Sequence, residues 1–322
     1  MKLKFRLSII VTVIMVAVVA GLSILILTQA SSTITELSIG SVERLASQQA
    51  VYWQGREEGY LRVAKTAASY FGGYEQIEPE LRRRQFDQFL EEVISAEPNL
   101  VGIFATFKAN TLDGLDAQYR GVTGSTDEGL YASMFSRKSG RLEHQTADRV
   151  SVALEAISAS NNRKEILADP RPDTVNGKAT HTFSITVPVI NDRTNEVAGI
   201  VGVIIQVDAV QPIVEQAIHA NEDITAMAIY SDDGYILGSY QVDRVGKNIL
   251  EADAGLFGSA INEAQQAVQE GKLYHTKQYS SVRGTNLQIV LYPFFIGESG
   301  SSWSVMIGAS EAFILKEVSA LT

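Results

Sequence analysis

An uncharged stretch near the start of the chain limits the possible folds more than any other feature. Residues 7–27 are twenty-one consecutive positions without a charged side chain, and Lys2, Lys4 and Arg6 precede them. Because a helix rises about 1.5 Å per residue, roughly 20 apolar residues cross the ~30 Å hydrocarbon core of a bilayer. Basic residues beside such a helix stay in the cytoplasm. The sequence therefore predicts a cytoplasmic flank at 1–6, a transmembrane helix at 7–28 in the inner membrane, and a main domain in the periplasm or outside the cell.

A cleaved signal peptide is the alternative interpretation of this segment. Thr28-Gln29-Ala30 weakly resembles a cleavage site. The apolar region of a signal peptide is only about 7–15 residues long, so the length of this one favours an uncleaved anchor.

The composition fits an exported domain and excludes several function classes. The chain has no cysteine, so disulfides, zinc–thiolate sites and a thiol nucleophile are all absent. The formal net charge is −10. Nucleic-acid partners require a basic surface, and this balance argues against them.

Two helices are predicted in the first third of the outer part. Apolar residues recur every three or four positions from Ser31 to about Phe71 without a proline, which predicts one long stalk helix within 29–78. A second helix is predicted between Pro79 and Pro98. The apolar stripe of the stalk helix is longer than one domain could cover, so the sequence also predicts a homodimer.

The rest of the chain predicts two units of antiparallel sheet. Short β-branched and aromatic runs, separated by turn residues, occur once within 79–208 and again, in smaller form, within 209–309. The second unit includes a predicted helix over 254–270, and a last helix is predicted at 310–322. Sheets with helices that hang on one long helix make an α+β architecture.

Nothing in the sequence indicates an enzyme, a metal site or a cofactor. The histidines have no metal-ligand spacing, and no Gly-x-Ser-x-Gly or Gly-x-Gly-x-x-Gly motif is present. The segments Asp113-Gly114-x-Asp116 and Asp232-Asp233-Gly234 lack the later oxygen ligands of a calcium loop, so turns are the better interpretation. The four histidines are His144, His181, His219 and His275.

A series of short motifs occurs in a characteristic order after Glu97-Pro98-Asn99. The motifs are Asn110-x-x-Asp113-Gly114-x-Asp116, Asp169-Pro170, Val187-Pro188-Val189-Ile190, Gly199-Ile200-Val201-Gly202-Val203, Ser231-Asp232-Asp233-Gly234-Tyr235-Ile236, Val245-Gly246-Lys247-Asn248 and Trp303-Ser304-Val305-Met306-Ile307. This order resembles the double Cache (dCache) sensor region of bacterial methyl-accepting chemotaxis proteins. The resemblance implies two PAS-like modules, a membrane-distal one at 79–208 and a membrane-proximal one at 209–309.

The resemblance also implies a function. Such a chain is an extracytoplasmic sensor that binds a small molecule in the distal module and passes the signal through juxtamembrane helices, without catalysis. In receptors of this kind a second transmembrane helix follows, so we expect the chain to be the sensor portion of a longer receptor. The alternatives are the same sensor joined to a histidine kinase or diguanylate cyclase, a membrane-anchored binding protein that does not signal, and an exported hydrolase.

The amino-acid-binding members of this family suggest a ligand class by contrast. Their ligand carboxylate is held by an Arg-Trp-Tyr cluster and the ammonium by two acids. Here Asp169 matches the first acid, but Arg171 replaces a tyrosine, Ile204 stands in place of the second acid, and no Arg-x-Trp-Tyr occurs. A buried ammonium beside one acid is poorly compensated. An organic anion or an apolar metabolite is therefore predicted rather than an amino acid.

The candidate ligand residues combine aromatic rings, arginines for a carboxylate, acids and hydroxyls. The hydroxyls lie on the predicted strand 179–189, where alternate residues share a face. We expect the polar row to face the ligand and the apolar row, from His181 to Val187, to pack on helices. The alternative is a pocket filled by its own side chains. The candidates are Phe107, Tyr131, Phe135, Arg137, Asp169, Arg171, Asp173, Thr182 and Ser184.

Overall fold

The structure is a computed structural model that describes residues 2–147, 154, 163–221, 224–280 and 284–310. Within this range it describes only the backbone of 2–13, 27, 30–35, 38 and 209. The predicted helix at 310–322 lies outside the described residues except for Ser310, which is the last residue of a strand.

One helix, α1, runs from Lys2 to Gly72 and includes both the predicted anchor and the predicted stalk. No helix in the described part of the chain reaches the length and hydropathy that crossing a bilayer demands. From Val42 to Phe71 the buried residues of α1 recur every three or four positions, as expected for a helix with one face on a core. The helix ends at Gly72, where a side chain would collide with the carbonyl oxygen of Ile190.

The second helix, α2, spans Pro79–Ala96 and packs beside the end of α1. Pro79 occupies the first turn, where its missing N–H removes no hydrogen bond. Phe86, Leu90 and Ile94 are four residues apart and form its buried face. The ring of Phe86 stacks on that of Phe71 at 3.9 Å, which joins the two helices.

The first sheet has seven antiparallel strands, in the order β3-β2-β1-β7-β6-β4, and β5 also pairs with β6. The strands are β1 (Leu100–Phe107), β2 (Ala132–Ser136), β3 (Glu143–Thr146), β4 (Ile166–Leu167), β5 (Arg171–Val175), β6 (Lys178–Ile190) and β7 (Val197–Gln206).

The second sheet has five antiparallel strands in the order β10-β11-β12-β8-β9. Its strands are β8 (Ala226–Tyr230), β9 (Ile236–Ser239), β10 (Tyr274–Ser280), β11 (Thr285–Phe295) and β12 (Ser302–Ser310). The helices of this part are α3 (Gln211–Ala220), α4 (Ile249–Ala252), α5 (Ala254–Phe257) and α6 (Ile261–Gln269). The mixture of helices with antiparallel sheets confirms the predicted α+β class.

One hydrophobic core connects the helices to both sheets. It includes buried residues of α1 and α2, Phe183 of β6 in the first sheet, and Trp303 of β12 in the second. The rings of Phe183 and Trp303 meet edge to face at 5.3 Å. The two sheets therefore share a core that α1 covers.

Candidate functional site

The first sheet has two faces with different surroundings. On the inner face, which packs on α1 and α2, Phe107, Val203 and Ile185 are completely buried or nearly so. Residues one position away point to the opposite side, the outer face. The outer face of the first sheet is the candidate ligand surface.

One row of the outer face crosses five strands without a break. Its members are directly paired in the order Met134, Phe104, Gly202, Thr186 and Ile166. A side chain at Gly202 would collide with the ring of Phe104, so this ring lies over the glycine. Leu154 packs in the same apolar cluster as Phe104, so its side chain lies against the outer face at this point.

The hydroxyl row of β6 lies on the outer face, opposite the apolar row. Thr182 and Thr186 are buried, whereas Ser184 is half-buried. The apolar row, with Phe183, Ile185 and Val187, belongs to the core that α1 covers, which confirms the expected division between the two faces.

Two candidate residues lie on the edge strand β5, and they differ in their side-chain partners. Asp173 pairs with Lys138 at 2.5 Å and accepts a hydrogen bond from Thr182 at 2.8 Å. Burial raises the pKa of Asp173, but the hydrogen bonds from Lys138, the Thr174 N–H and Thr182 outweigh it and hold the pKa below its usual range. Arg171 is exposed opposite Thr182, and its guanidinium has no ion pair or hydrogen bond with the described residues.

The three aromatic candidates lie on the inner face, so the structure does not bring them together with Thr182 and Ser184. Phe107 contacts the rings of Phe71 and Phe86 in the core. Tyr131 and Phe135 are also buried there. Odd-numbered residues of β1 and β2 face the helices, a property that depends on the pairing of the sheet and not on the local sequence.

Two further candidates have structural partners of their own. Arg137 donates to the carbonyl oxygens of Ile94 at 2.6 Å and Glu97 at 3.1 Å, so it satisfies the C-terminal end of α2. Asp169 accepts a hydrogen bond from Ser231, in the turn between β8 and β9. Burial raises the pKa of Asp169 to about 6, and the nearby carboxylate of Asp233 acts in the same direction. Asp169 therefore joins the two sheet units.

A cleft beside α2 was not predicted from the sequence. It encloses about 440 Å³. Two of its lining residues have partners behind the cleft wall: Asp87 accepts a hydrogen bond from the Tyr131 hydroxyl at 2.9 Å, and Nε2 of His144 contacts Ser133 at 2.9 Å. The same Nε2 lies 3.8 Å from Asp87, and Ser133 is fully buried, so the three residues do not form a nucleophilic triad. The lining residues are Arg84, Asp87, Gln88, Glu91, Phe135, Leu142 and His144.

Three polar side chains inside the second sheet unit, Tyr230, Arg244 and Asp253, are paired with one another. Asp253 is fully buried, forms an ion pair with Arg244, and accepts a hydrogen bond from Tyr230 at 2.8 Å. The Arg244 guanidinium also lies over the ring of Tyr240 at 5.0 Å. Among the residues that the structure describes, no cluster of histidine and acidic side chains is arranged to hold a metal ion.

No protein-family model matches this sequence, and no curated protein matches it. Solved structures share its fold, however. The extracellular domain of mmHK1S-Z3, assigned as a histidine kinase, superposes with a TM-score of 0.71 at 20% identity, over 88% of this chain and 97% of that domain. The periplasmic sensory domain of the Campylobacter jejuni chemoreceptor Tlp1 superposes with a TM-score of 0.64 at 14% identity, over 88% of this chain and 98% of that domain.

A third similar structure contains a ligand. The ligand-binding domain of the Pseudomonas aeruginosa amino-acid chemoreceptor PctC, in complex with GABA, gives a TM-score of 0.58 at 14% identity, over 84% of this chain and 99% of that domain. Identities this low establish the fold and not the function. The chain therefore has the fold of the extracellular sensory domains of chemoreceptors and histidine kinases, which confirms the resemblance at the level of structure.

Proposed function

We propose that this chain is the extracytoplasmic small-molecule sensor of a membrane chemoreceptor, and that the ligand binds at the outer face of the first sheet. The observation that carries the proposal is the division of β6, which turns its apolar row to α1 and its hydroxyls to the outer face. Small-molecule sites combine apolar surface with a few polar groups that orient the ligand. Here Phe104 and Met134 supply the apolar surface, and Ser184 and Thr186 supply the polar groups.

The two candidate acids already have side-chain partners, and this supports an organic anion or an apolar metabolite as the ligand. An ammonium group would need a carboxylate, but Asp173 is already paired with Lys138, and Asp169 is bound to Ser231. Ile204, which lies on the same face, carries no charge. Arg171 remains unpaired among the described residues, so its guanidinium can pair with a carboxylate.

A thermal-shift screen of the purified chain tests the ligand class. Small carboxylates or apolar metabolites should raise the melting temperature, since a ligand that binds only the folded state stabilises it. Any carboxylate that binds should lose affinity by about tenfold or more in Arg171→Ala, which removes a charge-assisted hydrogen bond. Arg141→Ala, an exposed arginine near β3, should bind as the wild type does. A proteinogenic amino acid confirmed by calorimetry as the ligand would contradict the proposal.

The receptor context is also part of the proposal. We propose that residues 7–28 anchor the chain in the membrane, that the unit 79–208 is membrane-distal and 209–309 membrane-proximal, and that α1 mediates a homodimer. Exposed Val51 and Tyr52 on α1 support the dimer, because they lie outside the buried stripe.

A histidine kinase is the second candidate for the output, given the match to mmHK1S-Z3. The coding sequence after Thr322 distinguishes these outputs, and sedimentation equilibrium measures the dimer.

A further inference from the structure

A single charged residue interrupts the buried stripe of α1. The other buried side chains in the described part of α1 are apolar or aromatic: Val42, Ala46, Ala50, Trp53, Tyr60, Leu61, Ala64, Ala67, Ala68 and Phe71. Glu57 lies among them and its exposed fraction is 0%. A carboxylate at such a position is costly unless it is paired and hydrogen-bonded.

The hydrogen bonds of Glu57 satisfy only half of its carboxylate. One oxygen, Oε1, accepts from Nη1 of Arg56 at 2.9 Å. The other oxygen, Oε2, is buried without a hydrogen-bond partner among the described residues. One turn earlier, Nε1 of Trp53 is also buried without such a partner. The same face of α1 therefore carries an unpaired acceptor and an unpaired donor.

Glu57 lies where α1 passes the second sheet. Leu61, one turn further on, would meet a side chain at Gly297, in the turn between β11 and β12. The side of β11 and β12 that packs on α1 presents apolar residues such as Phe294, Trp303 and Val305.

The titratable and charged groups near Glu57 come from α1 and from the elements packed on it. Glu165 lies beside Gly297, as Leu61 does, and pairs with Lys65 of α1 at 3.4 Å. Tyr292 is the titratable residue on the side of β11 that packs on α1. On α1 itself, Arg56 and Tyr60 are near Glu57, and Glu97 of the α2 end acts on Tyr60. Arg56 is thus the one cation that offsets the buried charge among the described residues.

Protonation changes the cost of this arrangement near neutral pH. Burial raises the pKa of Glu57 to about 7, against the opposing effect of the Arg56 charge. Below this pH the carboxyl group is neutral, and its burial costs little free energy. Above it, a charge with one unsatisfied oxygen must stay in the core for α1 to remain in place.

We propose that Glu57 makes the packing of α1 on the second sheet sensitive to proton concentration, with α1 held more firmly when this side chain is neutral. Because α1 also packs on the first sheet, this input acts on the element that joins both units. It is separate from the outer face of the first sheet and does not depend on the identity, or the existence, of a ligand there.

Hydrogen exchange of the backbone amides of residues 50–61 in the full chain tests the proposal. When exchange occurs through openings that expose Glu57 to water, linkage predicts a fall in the protection factor of about tenfold between pH 6 and pH 8, after correction for the intrinsic rate. Glu57→Gln should abolish this dependence. Glu58→Gln is the matched control, since Glu58 is a half-buried neighbour that accepts a hydrogen bond from Gln54, and it should behave as the wild type.

A second measurement keeps the proposal testable if Glu57→Gln does not fold. The carboxyl ¹³C resonance of Glu57 in the wild-type chain should titrate with a midpoint near 7, as its burial requires. A midpoint near the ordinary glutamate value of about 4.3 would overturn the proposal. So would a pH-dependent protection factor that persists unchanged in Glu57→Gln.

Discussion

Arg83 is a residue of the first unit on which several buried polar contacts converge. Its guanidinium pairs with Asp113 at 2.6 Å and Asp116 at 2.6 Å, and donates to Ser125 and to the Gly129 carbonyl oxygen. These contacts connect α2 to the long segment between β1 and β2. The cation thus compensates two carboxylates that are themselves almost fully buried.

Removal of this cation should be severely destabilising. Arg83→Ala leaves two buried carboxylates uncompensated, and we expect it to lower the free energy of unfolding by about 3–5 kcal/mol. Arg84→Ala, at an exposed neighbouring position, should change it by less than about 0.5 kcal/mol. Urea unfolding followed by circular dichroism measures both. Equal effects of the two variants would show that the Arg83 network is not needed for stability.

At the same scale, the sequence predicted which residues of one strand share a face, but not which residues of different strands do so. Thr182 and Ser184 were predicted correctly to share a face, because alternation along one strand is a local property. Phe107 and Tyr131 were grouped with them, but their face depends on how β1 and β2 pair with β7, which is a long-range property. The role of Arg137 was also hidden, since it caps a helix whose last residues lie about forty positions earlier.

At the scale of elements, long and periodic segments were predictable and short ones were not. The helix ending at Gly72 and the strands β6 and β7 follow from their patterns. The predicted helix over 254–270 is divided in the structure, because Gly258 has a positive φ of 55° between α5 and α6. The strands β3 and β4 have four and two residues and exist only through their pairing with β2 and β6.

Gly202 provides a test of how β7 supports the outer face. The Phe104 ring occupies the space that a side chain would need, so Gly202→Ala should displace this ring and lower the free energy of unfolding by about 1–3 kcal/mol. Gly255→Ala is the control, because a methyl group added at this position of α5 would have no atom within 4 Å. It should be neutral or slightly stabilising. Equal stabilities in guanidinium unfolding would contradict the close packing of Phe104.

At the scale of the whole molecule, the contacts between the two sheet units decide whether they act together. Asp169 binds Ser231, and the ring of His181 covers Gly246, where a side chain would collide with it. Phe183 meets Trp303 inside the shared core. The sequence predicted two similar units on one helix, but it contained no local signal for these contacts, which join residues 62 or more positions apart.

Trp303 is the residue whose loss should separate the two units. Its ring is 3% exposed and contacts both Phe183 and Phe294, so Trp303→Ala should cost about 3–5 kcal/mol. Because the lost contacts include those between the sheets, we expect one unfolding transition in the wild type and two in Trp303→Ala. Tyr279→Ala removes an aromatic ring that is 63% exposed in the same sheet and should leave one transition. Calorimetry distinguishes the outcomes: one transition at a lower temperature in Trp303→Ala would mean that α1 alone is sufficient to couple the units.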